Sequence, residues 1–349
     1  MKVAVRSLVV LIAMVAATRG WTMFRAADLV IVPVAASTAG LQNSTWRSDI
    51  EILNVDTVAI DVSIVLLPSG GGTNIYWYND IENALGGRES DGFGHVDEKL
   101  KDIQPGRAVV LENVVQQVWG DNIKGALLVW AYEANTFSTT TPPGGVPRKV
   151  VVTSRTFDYS TTSDNLPMTY GQQIPGLPWY DYLDPNLKDI GLDHVTFTGI
   201  REDDNFRTAL GLVNVSDVLT SLNVKFTLKA SDGTLLKEVT DAIAPLAHIQ
   251  YDEVVSSLLG VSSTEDVTDA TLTVTVTGWY GTAAEPTPAL ITYVSRIDDR
   301  TNDPVYREQT FDNELPWDCV FNGNSCPSAS LRLLPQLAKR RHLAPPFRH

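Results

Sequence analysis

Trp46-Arg47-Ser48-Asp49-Ile50-Glu51-Ile52-Leu53-Asn54-Val55 is answered 160 residues later by Phe206-Arg207-Thr208-Ala209-Leu210-Gly211-Leu212-Val213-Asn214-Val215. Both stretches run aromatic, arginine, small hydroxyl, apolar alternation, asparagine. A second pair keeps the same order: Val152-Thr153-Ser154-Arg155-Thr156-Phe157-Asp158 returns as Tyr293-Val294-Ser295-Arg296-Ile297-Asp298-Asp299. Internal repetition fixes how many cores a chain must bury, so two tandem copies of one fold unit are the starting expectation.

Working outward, the repeated segments are strand-like. Ile60, Val62, Ile64 and Leu66 alternate with Asp61, Ser63 and Val65, and Leu222, Val224, Phe226 and Leu228 alternate with more polar neighbours. Period-two alternation bounded by Gly, Pro, Asn and Asp marks half-buried strands. Further strands are expected at 29–35, 108–111, 126–132, 149–156, 194–199, 247–251, 271–277 and 289–297. Helical signal is sparse. The segments 112–120 and 252–260 each suit a short helical turn ending at glycine. The fold class is therefore all-β, with a β-sandwich in each copy and short loop helices.

The spacing between copies locates an insertion. Arg47 and Arg207 lie 160 residues apart but Glu112 and Asp252 only 140, so the first copy carries about twenty extra residues, placed at 75–101. The first copy is assigned to 28–187, including an inter-domain stretch at 166–187 rich in proline and aromatic residues, and the second copy to 188–308. Trp179, Tyr180 and Tyr182 in that stretch are expected to hold the copies together. Residues 309–349 read as an irregular tail with a basic run, Lys339-Arg340-Arg341-His342.

The order of aromatic-Arg-Ser/Thr, strand, Leu/Val-Asn turn, alternating strand, Pro-Ser-Gly or Ser-Asp-Gly turn and late Ser-Arg resembles the tandem immunoglobulin-like repeats of uncharacterised bacterial secreted and surface proteins. It covers about Leu29 to Tyr306. The resemblance implies a β-sandwich and an extracellular setting, and it brings no catalytic residues with it.

Lys2 and Arg6 followed by the apolar run Ser7 to Ala17 read as a secretory signal, with cleavage after Ala17 favoured by Val15-Ala16-Ala17. The run is short of the about 20 apolar residues a membrane span needs, so no stable span is expected after cleavage; retention as an anchor is the alternative. The protein is expected to be secreted or to reside in the cell envelope. Its only two cysteines, Cys319 and Cys326, suit a local disulfide in an exported tail. A net charge of -14 without a sustained basic stripe argues against nucleic acid as a partner.

The recurring Arg47 and Arg207, with Arg155 and Arg296, would hold an anion or a carboxylate on a functional reading. The structural reading weighs more, because they recur at strand positions near Asp49, Asp158 and Asp299, where a guanidinium ties carboxylates or carbonyls. Asn54 and Asn214 belong to the same structural set. The glycines at 70–72 lack the lysine and helix of a phosphate loop and read as a strand connection. No histidine pair has metal-ligand spacing, and the acidic runs 202–204 and 298–303 read as solvated turns, with calcium left open. Neither a cofactor nor a metal is expected.

The aromatics Tyr76, Trp77 and Tyr78, with Asp80, Glu89 and Asp91, form the candidate ligand surface of the insertion, where rings stack on sugars or anchor a protein. The expected function is a secreted, non-enzymatic surface, adhesion or scaffold module whose partner is a cell-surface glycan or protein. The alternatives are a carbohydrate-binding protein using the insertion and, from another class, an extracellular hydrolase with dispersed carboxylates.

Overall fold

A computed structural model describes residues 25–70, 76–78, 98–136, 145–160, 170–216, 220–261, 266–282 and 288–309. The expected secretory signal, the cysteines, Asp80, Glu89, Asp91 and the basic run lie outside them. Among the described residues every ladder between named strands is antiparallel. In the first half the strands are β1 (Leu29–Ala39), β2 (Thr45–Asn54), β3 (Ile60–Pro68), β4 (Tyr76–Tyr78), β5 (Ala108–Leu111), β6 (Ile123–Glu133), β7 (Val150–Asp158), β8 (Gly171–Pro175) and β9 (Leu177–Pro178). They form one nine-stranded sheet ordered β4-β3-β6-β1-β2-β7-β8, with β5 on β2 and β9 on β1.

The second half holds β10 (His194–Glu202), β11 (Phe206–Asn214), β12 (Thr220–Lys229), β13 (Leu235–Ile243), β14 (His248–Tyr251), β15 (Val267–Gly281), β16 (Leu290–Asp298) and β17 (Pro304–Glu308). These make two four-stranded sheets, β10-β15-β12-β13 and β14-β11-β16-β17. The same neighbours occur in the first half, as β1-β6-β3-β4 and β5-β2-β7-β8. There the two sets are stitched into one sheet by β1, which pairs with β6 and then with β2 through Ser37, Thr38 and Ala39. Before the crossing β1 bulges between Val32 and Ala35, where Pro33 has no N–H to give the ladder. Strand β10 bulges comparably between Phe197 and Ile200, at Gly199 with φ +65°.

The asparagines that end β2 and β11 do the same work. Asn54 Nδ2 donates to the carbonyls of Val58 and Ile103 at 2.8 and 2.7 Å, and its Oδ1 accepts the Asp56 N–H. Asn214 Nδ2 donates to Thr220, Ile243 and Ala244, and its Oδ1 accepts the Ser216 N–H. Both side chains are wholly buried, so each satisfies turn carbonyls that water cannot reach.

The helical turns also form where expected. Helix α1 (Val114–Trp119) starts where Asp49 Oδ1 accepts the Asn113 N–H and ends at Gly120, φ +97°. The π-type turn Val254–Leu258 begins on the Glu202 carboxylate, which accepts the N–H groups of Val255 and Ser256. Glu202, expected in a solvated turn, thus has a fixed structural partner.

Three features depart from the simple strand rhythm. In β3 the polar-phase residues Asp61 and Ser63 are buried as well, because loops fold over that face: Asp61 accepts the N–H groups of Asp102 and Asn135. Tyr76–Tyr78 are strand β4 on β3, with Val65 opposite Trp77, the position β13 takes against β12. The aromatic triplet therefore continues the sheet. Gly171–Pro175 and Leu177–Pro178, in the stretch between the halves, are strands on β7 and β1, their prolines at strand ends where a missing donor is tolerated.

Replacing Asn54 or Asn214 by Ala strands at least two buried carbonyls. Each substitution should destabilise the protein by about 2–4 kcal/mol, read by urea unfolding; a loss near zero for both would show that neither knot matters.

Candidate site between the two halves

Strand β11 alternates between two cores. Leu210 and Leu212 pack inside the second half, whereas Val213 joins the apolar cluster of the first. Strand β16 does likewise, Leu290 and Val294 facing inward and Ile291 and Tyr293 outward into that first cluster. Trp179 and Tyr182 belong to the same cluster, and Trp179 Nε1 donates to Asp28 Oδ1 at 3.0 Å.

Polar groups accompany this apolar seam. Gly70 N–H donates to His248 O at 3.1 Å, so the end of β3 touches β14. His248 is fully buried, with Nε2 3.4 Å from the Tyr293 hydroxyl and no partner at Nδ1. That hydroxyl donates to Gln250 Oε1 at 2.9 Å, Gln250 Nε2 donates to Asp252, and Lys124 from the first half pairs with Asp252 at 3.3 Å. Ser295 donates to Gln172 across the seam at 2.8 Å. Further along, Arg25 pairs with Asp181 and Glu308.

Beside these links lies a cleft with a cavity of about 80 Å³. One wall is the outward face of β11 and β16: Arg207, Ala209, Tyr293, Ser295 and Ile297. The opposite wall is Val34, Ala36, Thr38 and Ala39 of β1 with Gly40, Leu41 and Trp46. The short side chains of Ala36, Ala39 and Ala209 border the space. At Gly40 a Cβ would collide with the Trp46 indole, and at Gly211 with the Tyr293 ring, so both glycines are required by close approach.

Burial sets the electrostatics. It depresses the imidazole of His248 to about 3, helped by Lys124 and opposed by Asp252. It pushes the Tyr293 and Tyr306 phenols well above their usual range. It also lowers Arg207, against the opposing pull of Asp252 and Glu253.

The recurring arginines divide. Arg47 Nη1 donates to the Trp46 carbonyl at 3.2 Å and Nη2 pairs with Asp121 at 2.9 Å. Arg207 pairs with Asp299. With Arg47 laid on Arg207, the residues opposite them are Phe157 and Ile297. That register sets Arg155 against Ser295 and Arg296 against Thr156, one residue off the sequence match and hence on opposite faces. Arg155 lies over the Phe157 ring at 4.8 Å, and Arg296 over Phe206 at 5.8 Å. Sequence reasoning missed Trp46, Lys124, Gln172, Gln250, Asp252 and Tyr293 as neighbours, because a seam between halves leaves no local spacing. Among the described residues no group of three acids, histidines or cysteines is placed to hold a metal, and no helix is long and apolar enough to cross a membrane.

Comparison with family models and with curated proteins gives no match. Among solved structures, Bacteroides uniformis β-glucuronidase 2 covalently bound to cyclophellitol-6-carboxylate aziridine aligns with 75% of this chain and 24% of its own, at 11% identity and a TM-score of 0.12. A calcium-binding mutant of that enzyme gives 76% and 24%, 12% identity and 0.13. A Bacteroides uniformis β-glucuronidase gives 77% and 26%, 10% identity and 0.13. The chain thus spans about a quarter of those enzymes' length, and likeness at this level carries no argument about fold or activity.

His248 makes the seam sensitive to acid. Its folded value of about 3 lies below the ordinary 6.5, so between these limits the unfolded chain binds a proton that the folded chain excludes. Stability from this group is complete above pH 6.5 and is lost as pH falls towards 3, by on the order of a few kcal/mol. Unfolding measured from pH 7.5 to 4 should show His248→Gln losing less stability than the parent; parallel curves would overturn this assignment.

Proposed function

We propose that the chain is an exported, non-enzymatic surface or scaffold protein built from two tandem immunoglobulin-like sandwiches. The observation that carries this reading is the seam. An outward sheet face of the second half is buried in the apolar cluster of the first, and Lys124–Asp252 and Ser295–Gln172 cross the boundary. Two modules joined in this way make a stiff unit that holds its ends at a fixed separation, which suits a spacer or adhesion stalk. The parallel strand neighbours and the two asparagine knots support the tandem reading. The apolar N-terminal run Ser7 to Ala17 and the placement of both cysteines in the C-terminal segment support export.

Two measurements test this. Protein recovered from the envelope or medium of an expressing bacterium should begin at Thr18 and lack free thiol at Cys319 and Cys326; cytoplasmic retention with an intact Met1 would sink the export reading. Residues 188–308 produced alone should expose Val213, Ile291 and Tyr293 and be markedly less stable than the whole chain. Equal stability would mean that the seam is incidental and the unit is not stiff.

A further inference from the structure

We infer that Arg207 anchors a binding site for a short-chain carboxylate in the cleft between the two halves. The argument rests on one comparison within the molecule. Arg47 uses its guanidinium twice, on Asp121 and on the Trp46 carbonyl. Arg207 is more deeply buried, its side chain 4% exposed, yet among the described residues Asp299 is its one hydrogen-bond partner. A guanidinium presents five N–H donors in a planar fork, and a second carboxylate fits the edge the first leaves open. Arg207 also lines the cleft, so its unused donors have a space to serve.

The neighbouring polar groups are already engaged. Gln250 is held by Tyr293 and Asp252, Gln172 by Ser295, and Asp252 by Lys124. What remains for the rest of a ligand is apolar: Val34, Leu41, Ile297 and the Trp46 indole. An engineered cavity of about 150 Å³ holds benzene; the 80 Å³ here suits a carboxylate on a body of a few carbons. Ala209, on the same wall and strand as Arg207, leaves the volume that such a body would occupy.

The test is an NMR titration of the whole mature chain with propionate and with propionamide, which has the same shape without the charge. Propionate should bind saturably at millimolar concentration and shift the Trp46 indole signal, with propionamide at least about tenfold weaker. Arg207→Gln should weaken propionate by about tenfold or more. Because that variant removes the partner of Asp299 and could fail to fold, Ala209→Leu serves as the second: it fills the cleft, keeps the ion pair, and should abolish binding. Absence of saturable propionate binding, equal binding of propionamide, or propionate binding unchanged in Ala209→Leu would each overturn the proposal.

Discussion

The rest of the structure depends on one constraint: the sheet carrying β11 and β16 is buried on both faces. A sheet with one solvated face alternates polar and apolar residues, and here both phases must be apolar or hydrogen-bonded. Strand β11 meets the demand with Leu210 and Leu212 on one side and Val213 on the other. Where the phases cannot all be large, small residues take over. Gly211 makes room for the Tyr293 ring, and Ala209 faces the cleft. The same burial keeps His248 neutral, since desolvation outweighs the attraction of Asp252.

The two halves conserve what holds a turn and vary what holds a neighbour. Asn54 and Asn214 gather carbonyls from the same pair of connections, including Ile103 in one half and Ile243 in the other. Those bonds are internal to each half, so nothing outside it disturbs them. The outward face is different. In the first half Arg47 pairs with Asp121, which is itself half-exposed, and in the second the matching arginine is enclosed against the other half. Burying a guanidinium costs several kcal/mol unless its donors are met, so enclosure turns a surface ion pair into a constraint on whatever lies beside it.

This division explains what could be read from sequence. The strands were legible because period-two alternation is a local signal, and even the turns at 112–120 and 252–260 announced themselves by their glycines. Arg47 and Arg207 lie near the starts of β2 and β11, opposite Phe157 and Ile297. Arg155 and Arg296 are one residue apart in that register, because the Ser-Arg identity in sequence does not carry the pairing across the sheet. Asp61 and Ser63 read as solvent-facing, since alternation cannot announce that loops near Asp102 and Asn135 return to cover them. The polar links of the seam were invisible for the same reason: Lys124, Gln172 and Asp252 are 48 residues or more apart in sequence and meet only after both halves have formed.

The cleft follows from the way the two halves meet. Each sheet is twisted, so two faces pressed together touch closely along one line and diverge away from it. Close contact runs through Ile291, Tyr293 and Val213, where large side chains fill the seam. Towards the starts of β2 and β11 the first wall carries Ala36 and Ala39, and the second Ala209 beside Arg207. Larger apolar residues at those positions would close the gap and gain about 25 cal/mol for each Å² of apolar surface buried. The chain instead combines small residues with a buried cation that has donors to spare. An apolar void alone would be a packing defect, and a buried arginine alone would be a structural tie. Their coincidence in one cleft gives the gap a chemical polarity, with charge at one end and an apolar wall along its length.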